Sequence, residues 1–103
     1  MTEWFRCYWD EEDIWLYFEV DADGWVTRQV ELSGPQQEPT TAASLEEWQR
    51  ELAAGRIQQY QARYGGLADQ PVTEWEGHDP QPLSATEFER VWDDARRHLE
   101  ASP

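Results

Sequence analysis

The sequence predicts an α+β domain in which an antiparallel three- to four-stranded meander sheet is packed by a bent central helix and a C-terminal helix. Three observations lead to this fold class: three consecutive runs of alternating apolar residues, compact turns between them, and two helix-capping motifs in the second half of the chain. We place strands at about 3–9, 13–21 and 25–33 and helices at about 45–64 and 85–100, within a single domain of residues 1–103.

The turn between the second and third strands decides which side chains share a face of the sheet. A two-residue loop would place Phe18 opposite Gln29, which puts polar residues on half of the apolar face. A three-residue loop, Ala22–Gly24, instead pairs Val20 with Val26 and keeps one face almost wholly apolar. The predicted pairs on that face are Val20–Val26, Phe18–Arg28, Leu16–Val30 and Ile14–Leu32. The opposite face then carries Trp4, Arg6, Tyr8, Trp15, Tyr17, Glu19, Trp25, Thr27, Gln29 and Glu31.

The first strand extends the same apolar face. A four-residue acidic loop, Asp10–Asp13, joins it to the second strand. Two independent connections therefore agree on which face is buried. The pairs that this loop predicts are Trp9–Ile14, Cys7–Leu16 and Phe5–Phe18.

A serine-based capping box begins each predicted helix, with Ser44 followed by Glu47 and Ser84 followed by Glu87. In the central helix the apolar residues form two stripes rotated by about 100°, with Gly55 between them. Either two helical segments or one bent helix therefore spans 45–64. The C-terminal helix has a single apolar stripe, made of Phe88, Val91, Trp92, Ala95 and Leu99.

The connecting segments have weaker patterns. A short edge strand is expected around Thr40–Ala43, and Val72–Glu76 is a candidate for a further strand within the proline-rich connection 67–83. The last residues, 101–103, are expected to fray.

Charge restricts the classes of partner. The 22 acidic residues outnumber eight arginines, with no lysine, and give a formal net charge of −14. This balance argues against direct nucleic-acid binding and against an anionic membrane surface, because both require clustered cations. It favours a basic protein partner, since complementary fields accelerate association.

Cysteine usage and hydropathy bear on the compartment. Cys7 is the single cysteine, so no disulfide can form within the chain. The sequence has no signal-peptide pattern at its start and no apolar run near the ~20 residues of a membrane span. We expect a cytoplasmic protein.

Seven tryptophans in so short a chain exclude disorder. Two interpretations remain open: the rings fill a small core, or those on the outer sheet face form a recognition surface. The exposure of Trp4, Trp15, Tyr17 and Trp25 discriminates between them.

Catalytic and metal-binding patterns are weak. Cys7 is predicted to face the core without a histidine partner, and His78 and His98 lie in different elements without metal-ligand spacing. We expect no enzyme activity, no metal site and no cofactor. Arg28 is predicted to lie among apolar side chains, where it requires either a structural ion pair or a bound ligand.

Two stretches carry a resemblance. The first stretch consists of Glu19-Val20-Asp21, Asp23-Gly24 and Arg28-Gln29-Val30-Glu31. The second runs from Leu83-Ser84 through Glu87-Phe88 to Val91-Trp92. Together they resemble a group of small uncharacterised bacterial domains with an E-[IV]-D turn, an R-x-V-E strand and an S-x-x-E-F-x-x-V-W helix, a group that implies no activity. The size, acidity and layout also resemble small immunity proteins that neutralise bacterial toxins.

The first functional hypothesis is therefore a non-catalytic protein-interaction module, immunity- or antitoxin-like, that binds a basic partner. The alternatives are an acidic mimic of nucleic acid and a small-molecule binder that uses the aromatic sheet face; a homodimer through that face is also compatible with the sequence. The candidate binding residues are Trp15, Tyr17, Trp25, Arg28, Asp10, Glu11, Glu12 and Asp13.

Overall fold

A computed structural model describes residues 1–101 and has an antiparallel five-stranded sheet with three α-helices, which confirms the predicted α+β class. The strands lie in the order β4-β3-β2-β1-β5. Their bounds are Glu3–Trp9 (β1), Ile14–Val20 (β2), Val26–Ser33 (β3), Glu38–Ser44 (β4) and Gln81–Pro82 (β5). The helices are Leu45–Ala53 (α1), Ile57–Tyr64 (α2) and Ala85–Ala101 (α3). Ser102 and Pro103, two of the three residues expected to fray, lie outside the described residues.

The first hairpin has the predicted register. Trp9 pairs with Ile14, and the pairing continues without interruption to Glu3 and Val20. The acidic residues 10–13 form the turn between β1 and β2. The length of this loop and the apolar alternation on both sides of it were sufficient to determine the register.

The predicted register between β2 and β3 is wrong except at its first pair. Val20 does pair with Val26, but a β-bulge follows, and Phe18 then lies opposite Gln29. This is the pairing that we rejected because it buries a polar residue. Gln29 tolerates burial because its amide nitrogen donates to Glu31 and its amide oxygen accepts from the backbone N–H of Ala68. The other observed pairs are Tyr17–Val30, Leu16–Glu31, Trp15–Leu32 and Ile14–Ser33.

The bulge also moves Arg28 to the other face of the sheet. One extra residue, Thr27, is accommodated opposite Glu19, so that Glu19 pairs with Arg28 instead of Thr27. Arg28 therefore does not lie among Phe18 and Val26, as the sequence suggested.

Both faces of the sheet are covered, which explains why neither is purely polar. The face with Phe18 is packed by the segment after α2, and its cluster consists of Phe5, Cys7, Phe18, Val20 and Val26, with Leu16, Leu67, Ala68, Val72 and Trp75 against them. The face with Tyr17 is packed by α3, and its cluster consists of Tyr17, Val30, Leu32, Ala42, Phe88 and Ala95, with Trp4, Trp15, Leu83, Val91, Trp92 and Leu99 against them.

The edges of the sheet differ from the sequence prediction. β4 is a seven-residue strand, longer than the Thr40–Ala43 segment that we expected. The predicted strand at Val72–Glu76 is wrong: Val72–Glu74 is a single 3₁₀ turn. The backbone N–H of Val72 donates to the carbonyl of Gly24. This hydrogen bond attaches the segment to the turn between β2 and β3, so the segment does not extend the edge of the sheet.

The central helical region is two helices, the first of our two alternatives. Gly55, with φ of +77°, lies between α1 and α2. The Ser44 side chain accepts from the N–H of Glu47, as predicted. Glu47 does not complete the capping box, since the Ser44 N–H donates to the Tyr60 hydroxyl.

The capping box of α3 is complete. Ser84 accepts from the N–H of Glu87, and the Ser84 N–H donates to the Glu87 carboxylate. The predicted apolar stripe of this helix packs on the sheet, with Phe88 and Ala95 fully buried.

Candidate interaction surface

The structure separates the predicted binding residues into three places. Trp15, Tyr17 and Arg28 lie between the sheet and α3, Trp25 lies at one end of the strands, and residues 10–13 lie at the other end. The seven residues of β2 separate the two ends by about 23 Å at ~3.3 Å per residue. The predicted residues therefore do not form one continuous site.

The aromatic sheet face is mostly covered by α3 within one chain. Tyr17 is only 6% exposed, while Trp4 and Trp15 are half-buried against the helix-side cluster. The Arg6 guanidinium lies 4.3 Å from the centre of the Trp15 ring. These rings therefore belong to the packing between the sheet and α3 and do not form an exposed recognition surface. A homodimer through this face would require α3 to move away from it.

Arg28 is held by two carboxylates. It forms ion pairs with Glu19 and with Glu89 on α3, and its guanidinium lies over the rings of Phe88 and Trp92. Burial by itself lowers the pKa of Arg28, but the hydrogen bonds and charges of the two carboxylates raise it above its ordinary value. With its donors occupied in this way, Arg28 is a structural link between the sheet and α3.

Trp25 is 43% exposed and immediately precedes β3. The carboxylate of Asp21 accepts from the backbone N–H groups of Asp23 and Trp25 and so holds the turn before it. Trp25 and Trp48 line a small apolar pocket of about 230 Å³ with Leu67.

The end of the first hairpin combines exposed aromatic rings with acidic residues. We call this surface the acidic hairpin end and define it as Tyr8, Trp9, Asp10, Glu11, Glu12 and Asp13. Tyr8 is 44% exposed and Trp9 is 47% exposed, on opposite faces of β1. The residues from Asp10 to Glu12 are all exposed.

Two contacts hold the Tyr8 side chain of the acidic hairpin end in place. The Tyr8 hydroxyl donates to the Asp13 carboxylate at 2.8 Å, and its ring lies 4.9 Å from that of Trp15. The carbonyl of Asp13 accepts from the N–H of Gly34, which joins the β3–β4 turn to the hairpin. The hydrogen bond to Asp13 raises the pKa of the Tyr8 phenol.

Sequence reasoning missed Tyr8 and Trp9 as candidate binding residues, because it assigned Trp9 to the buried face and treated Tyr8 as one ring among many. A usable signal existed. The two rings immediately precede four consecutive acidic residues, and because such a segment stays in water, it favours exposure of the rings next to it.

Two further kinds of chemical group lie outside these surfaces, the Cys7 thiol and the potential metal ligands. Burial, assisted by the charge of Asp79, raises the pKa of Cys7 to about 11, so the thiol is un-ionised at neutral pH. Across residues 1–101, no three His, Cys, Asp or Glu side chains are arranged to hold a metal ion. In the same part of the chain, no helix is both long enough and apolar enough to cross a membrane.

Comparisons with family models, with curated proteins and with solved structures found no match to this chain. The resemblances noted from short stretches of sequence therefore remain unsupported by any family assignment.

Proposed function

We propose that this chain is a non-catalytic protein-interaction module that binds a basic partner through the acidic hairpin end. The observation that carries the proposal is the adjacency of two exposed rings, Tyr8 and Trp9, to the acidic residues 10–13. Aromatic residues are enriched at the energetic centres of interfaces. The carboxylates beside these aromatic residues favour a cationic partner surface and disfavour an acidic one.

The electrostatic field supports the same class of partner. The chain carries −14, which attracts a basic protein from a distance and raises its association rate. At the acidic hairpin end, half-buried Ile14 adds apolar surface beside Trp9 on the same face of the sheet. A partner would therefore present lysine or arginine around an apolar centre.

The arrangement is also pre-organised. Asp13 holds the Tyr8 hydroxyl, and Trp15 packs against the Tyr8 ring, so this side chain loses little freedom when a partner binds. The layout that resembles immunity proteins fits an antitoxin-like role, in which a small acidic protein occupies a basic toxin.

The proposal is tested by affinity capture followed by a binding measurement with the purified partner. The immobilised chain should retain a basic protein at low salt, and Trp9→Ala should weaken binding of that protein at least tenfold, a loss of about 1.4 kcal/mol. Added salt should slow association more than it speeds dissociation.

The matched control is Trp25→Ala, which removes an equally exposed indole at the other end of the strands. It should leave affinity within about twofold. Failure to capture any basic protein, or equal binding by wild type and Trp9→Ala, would count against the proposal.

The two alternative functions have less support. A small-molecule platform on the aromatic sheet face would need Trp15 and Tyr17, and α3 packs over both. For nucleic-acid mimicry, free carboxylates would have to be spaced along one face, and Glu19, Glu47, Glu51 and Glu89 cannot contribute to such a row because they pair with arginine.

A further inference from the structure

A cavity of about 490 Å³ opens beside the amino-terminal half of β1, away from the acidic hairpin end. We call it the edge cavity. Its volume falls within the ~300–1,000 Å³ of sites that hold small organic molecules. The residues that line it are Thr2, Glu3, Trp4, Phe5, Val72, His78, Pro80, Pro82 and Leu83.

The edge cavity exists because β5 is very short. Only two pairs, Phe5–Pro82 and Arg6–Gln81, join β5 to β1. One further hydrogen bond runs from the Leu83 N–H to the Trp4 carbonyl. Beyond these contacts β5 leaves the start of β1 unpaired, and the edge cavity opens there.

The walls of the edge cavity are mainly apolar and aromatic. Phe5 forms part of them, and its ring lies 5.8 Å from the ring of His78. Trp75 packs edge-on against His78 at 5.5 Å. A flat apolar or aromatic body matches this lining.

Three polar side chains, Thr2, Glu3 and His78, line the same space. Glu3 is exposed at its mouth and His78 is half-buried, and in residues 1–101 neither makes a side-chain hydrogen bond or a salt bridge. A carboxylate is an acceptor only, and a neutral imidazole has one acceptor nitrogen, so these groups suit a donor with positive charge.

The charge of the chain segment beside the cavity also favours a cationic ligand. The covering segment from Leu67 to Leu83 contains four acidic residues, Asp69, Glu74, Glu76 and Asp79, and no arginine. An anionic ligand would meet repulsion there, whereas a cation would be attracted.

We propose that the edge cavity binds a small organic cation, with an aromatic or aliphatic body against Phe5 and Leu83 and a protonated amine at Glu3. This site is separate from the acidic hairpin end and does not depend on the protein partner proposed above. Two of its lining residues, Trp4 and Leu83, also pack against the cluster beneath α3.

Phenethylamine is a suitable probe, because it joins one ring to one ammonium group. Titrated into the isotopically labelled full chain, it should shift the backbone amide resonances of Phe5, His78 and Leu83 saturably, with a Kd of about 1 mM for a ligand of this size. Phenethyl alcohol, the neutral analogue, should bind at least threefold more weakly, and phenylacetate should bind more weakly still.

Two variants locate the site. Glu3→Gln should weaken phenethylamine binding about threefold to fivefold and leave phenethyl alcohol unchanged. His78→Phe keeps the ring packing against Phe5 and removes the acceptor nitrogen, so it should weaken the amine more than the alcohol. The same spectra report whether each variant is folded.

Glu11→Gln is the charge-matched control at the acidic hairpin end, and it should leave phenethylamine binding unchanged. Equal losses for Glu3→Gln and Glu11→Gln would show general attraction of cations and overturn the proposal. Absence of saturable shifts around the edge cavity, or equal binding of all three probes, would overturn it as well.

Discussion

Arg28 donates to both carboxylate oxygens of Glu19 on the neighbouring strand, with Nε 3.0 Å from Oε1 and Nη2 2.6 Å from Oε2. The same carboxylate accepts from the Trp4 indole and from the Thr27 hydroxyl. The bulge at Thr27 places Arg28 opposite Glu19, so this bidentate ion pair depends on the register of β3.

Replacing this arginine tests its structural role. Arg28→Met should destabilise the protein by about 2–3 kcal/mol, because the Glu19 side chain is only 15% exposed and would lose its cation. Urea unfolding followed by tryptophan fluorescence measures the change. Arg50→Met is the control: Arg50 is 62% exposed and pairs loosely with Glu46, so its loss should cost less than about 0.5 kcal/mol. Equal destabilisation by both substitutions would contradict the assignment.

Glu47 should make stability depend on pH. Burial raises the pKa of this carboxyl, but hydrogen bonds from Arg96 and Tyr60 outweigh burial and lower it below 4.5. Its stabilising effect is therefore fully present above pH 4.5 and is lost as the pH falls through the folded-state pKa. Glu47→Gln should be less stable than wild type at pH 7, and the difference should shrink by pH 3.

The measurement is a pair of urea unfolding curves at each pH. Glu46→Gln removes the same charge from a side chain that is 91% exposed, and its stability should follow wild type at both pH values. A constant difference between wild type and Glu47→Gln across this range would refute the pH prediction.

Two glycines with nearly the same positive φ differ in the space around them. Gly65 has φ of +80° and Gly34 has φ of +79°. A Cβ on Gly65 would lie 2.5 Å from the Thr41 hydroxyl oxygen, whereas one on Gly34 would meet nothing within 4 Å. Gly34→Ala should cost about 1 kcal/mol for its positive φ. Gly65→Ala should cost about 1–3 kcal/mol more, because its ψ of −158° places it in a backbone region that only glycine populates and because the Cβ would overpack Thr41. Thermal unfolding measures both, and equal costs would contradict the prediction.

Cys7 should be unreactive in the folded protein. The thiol is 5% exposed, and burial raises its pKa to about 11. Reaction with a disulfide reagent at pH 8 should be slow in buffer and rapid in concentrated urea, where the side chain is free. Fast reaction under native conditions would show that the segment covering this face of the sheet opens readily.

The sequence was sufficient for features that depend on neighbours along the chain. The β1–β2 register follows from a short acidic loop between two alternating runs, and the start of α3 follows from Ser84 and Glu87. The β2–β3 bulge could not be predicted by assuming that one face is apolar, because the segment after α2 covers Phe18 and supplies the partner that Gln29 needs.

The candidate site shows the same division. Acidic composition and residues 10–13 were evident from sequence, and the structure keeps Asp10, Glu11 and Glu12 exposed. Which rings remain exposed beside them was decided by packing on both faces: α3 covers Tyr17 but not Tyr8, and the segment after α2 covers Phe5 and Cys7 but leaves Trp9 exposed. The edge cavity could not be anticipated, since it depends on a two-residue strand without an apolar pattern.

The sequence by itself therefore determined the fold class, the first hairpin and the strongly negative charge, because alternation, turn length and capping act between residues close together in the chain. The tertiary structure decided the register of β3, the placement of Arg28 and the exposure of each aromatic ring. All three depend on which element packs on which face of the sheet. That packing brings the Ala68 N–H to the buried side chain of Gln29, a partner distant in the sequence.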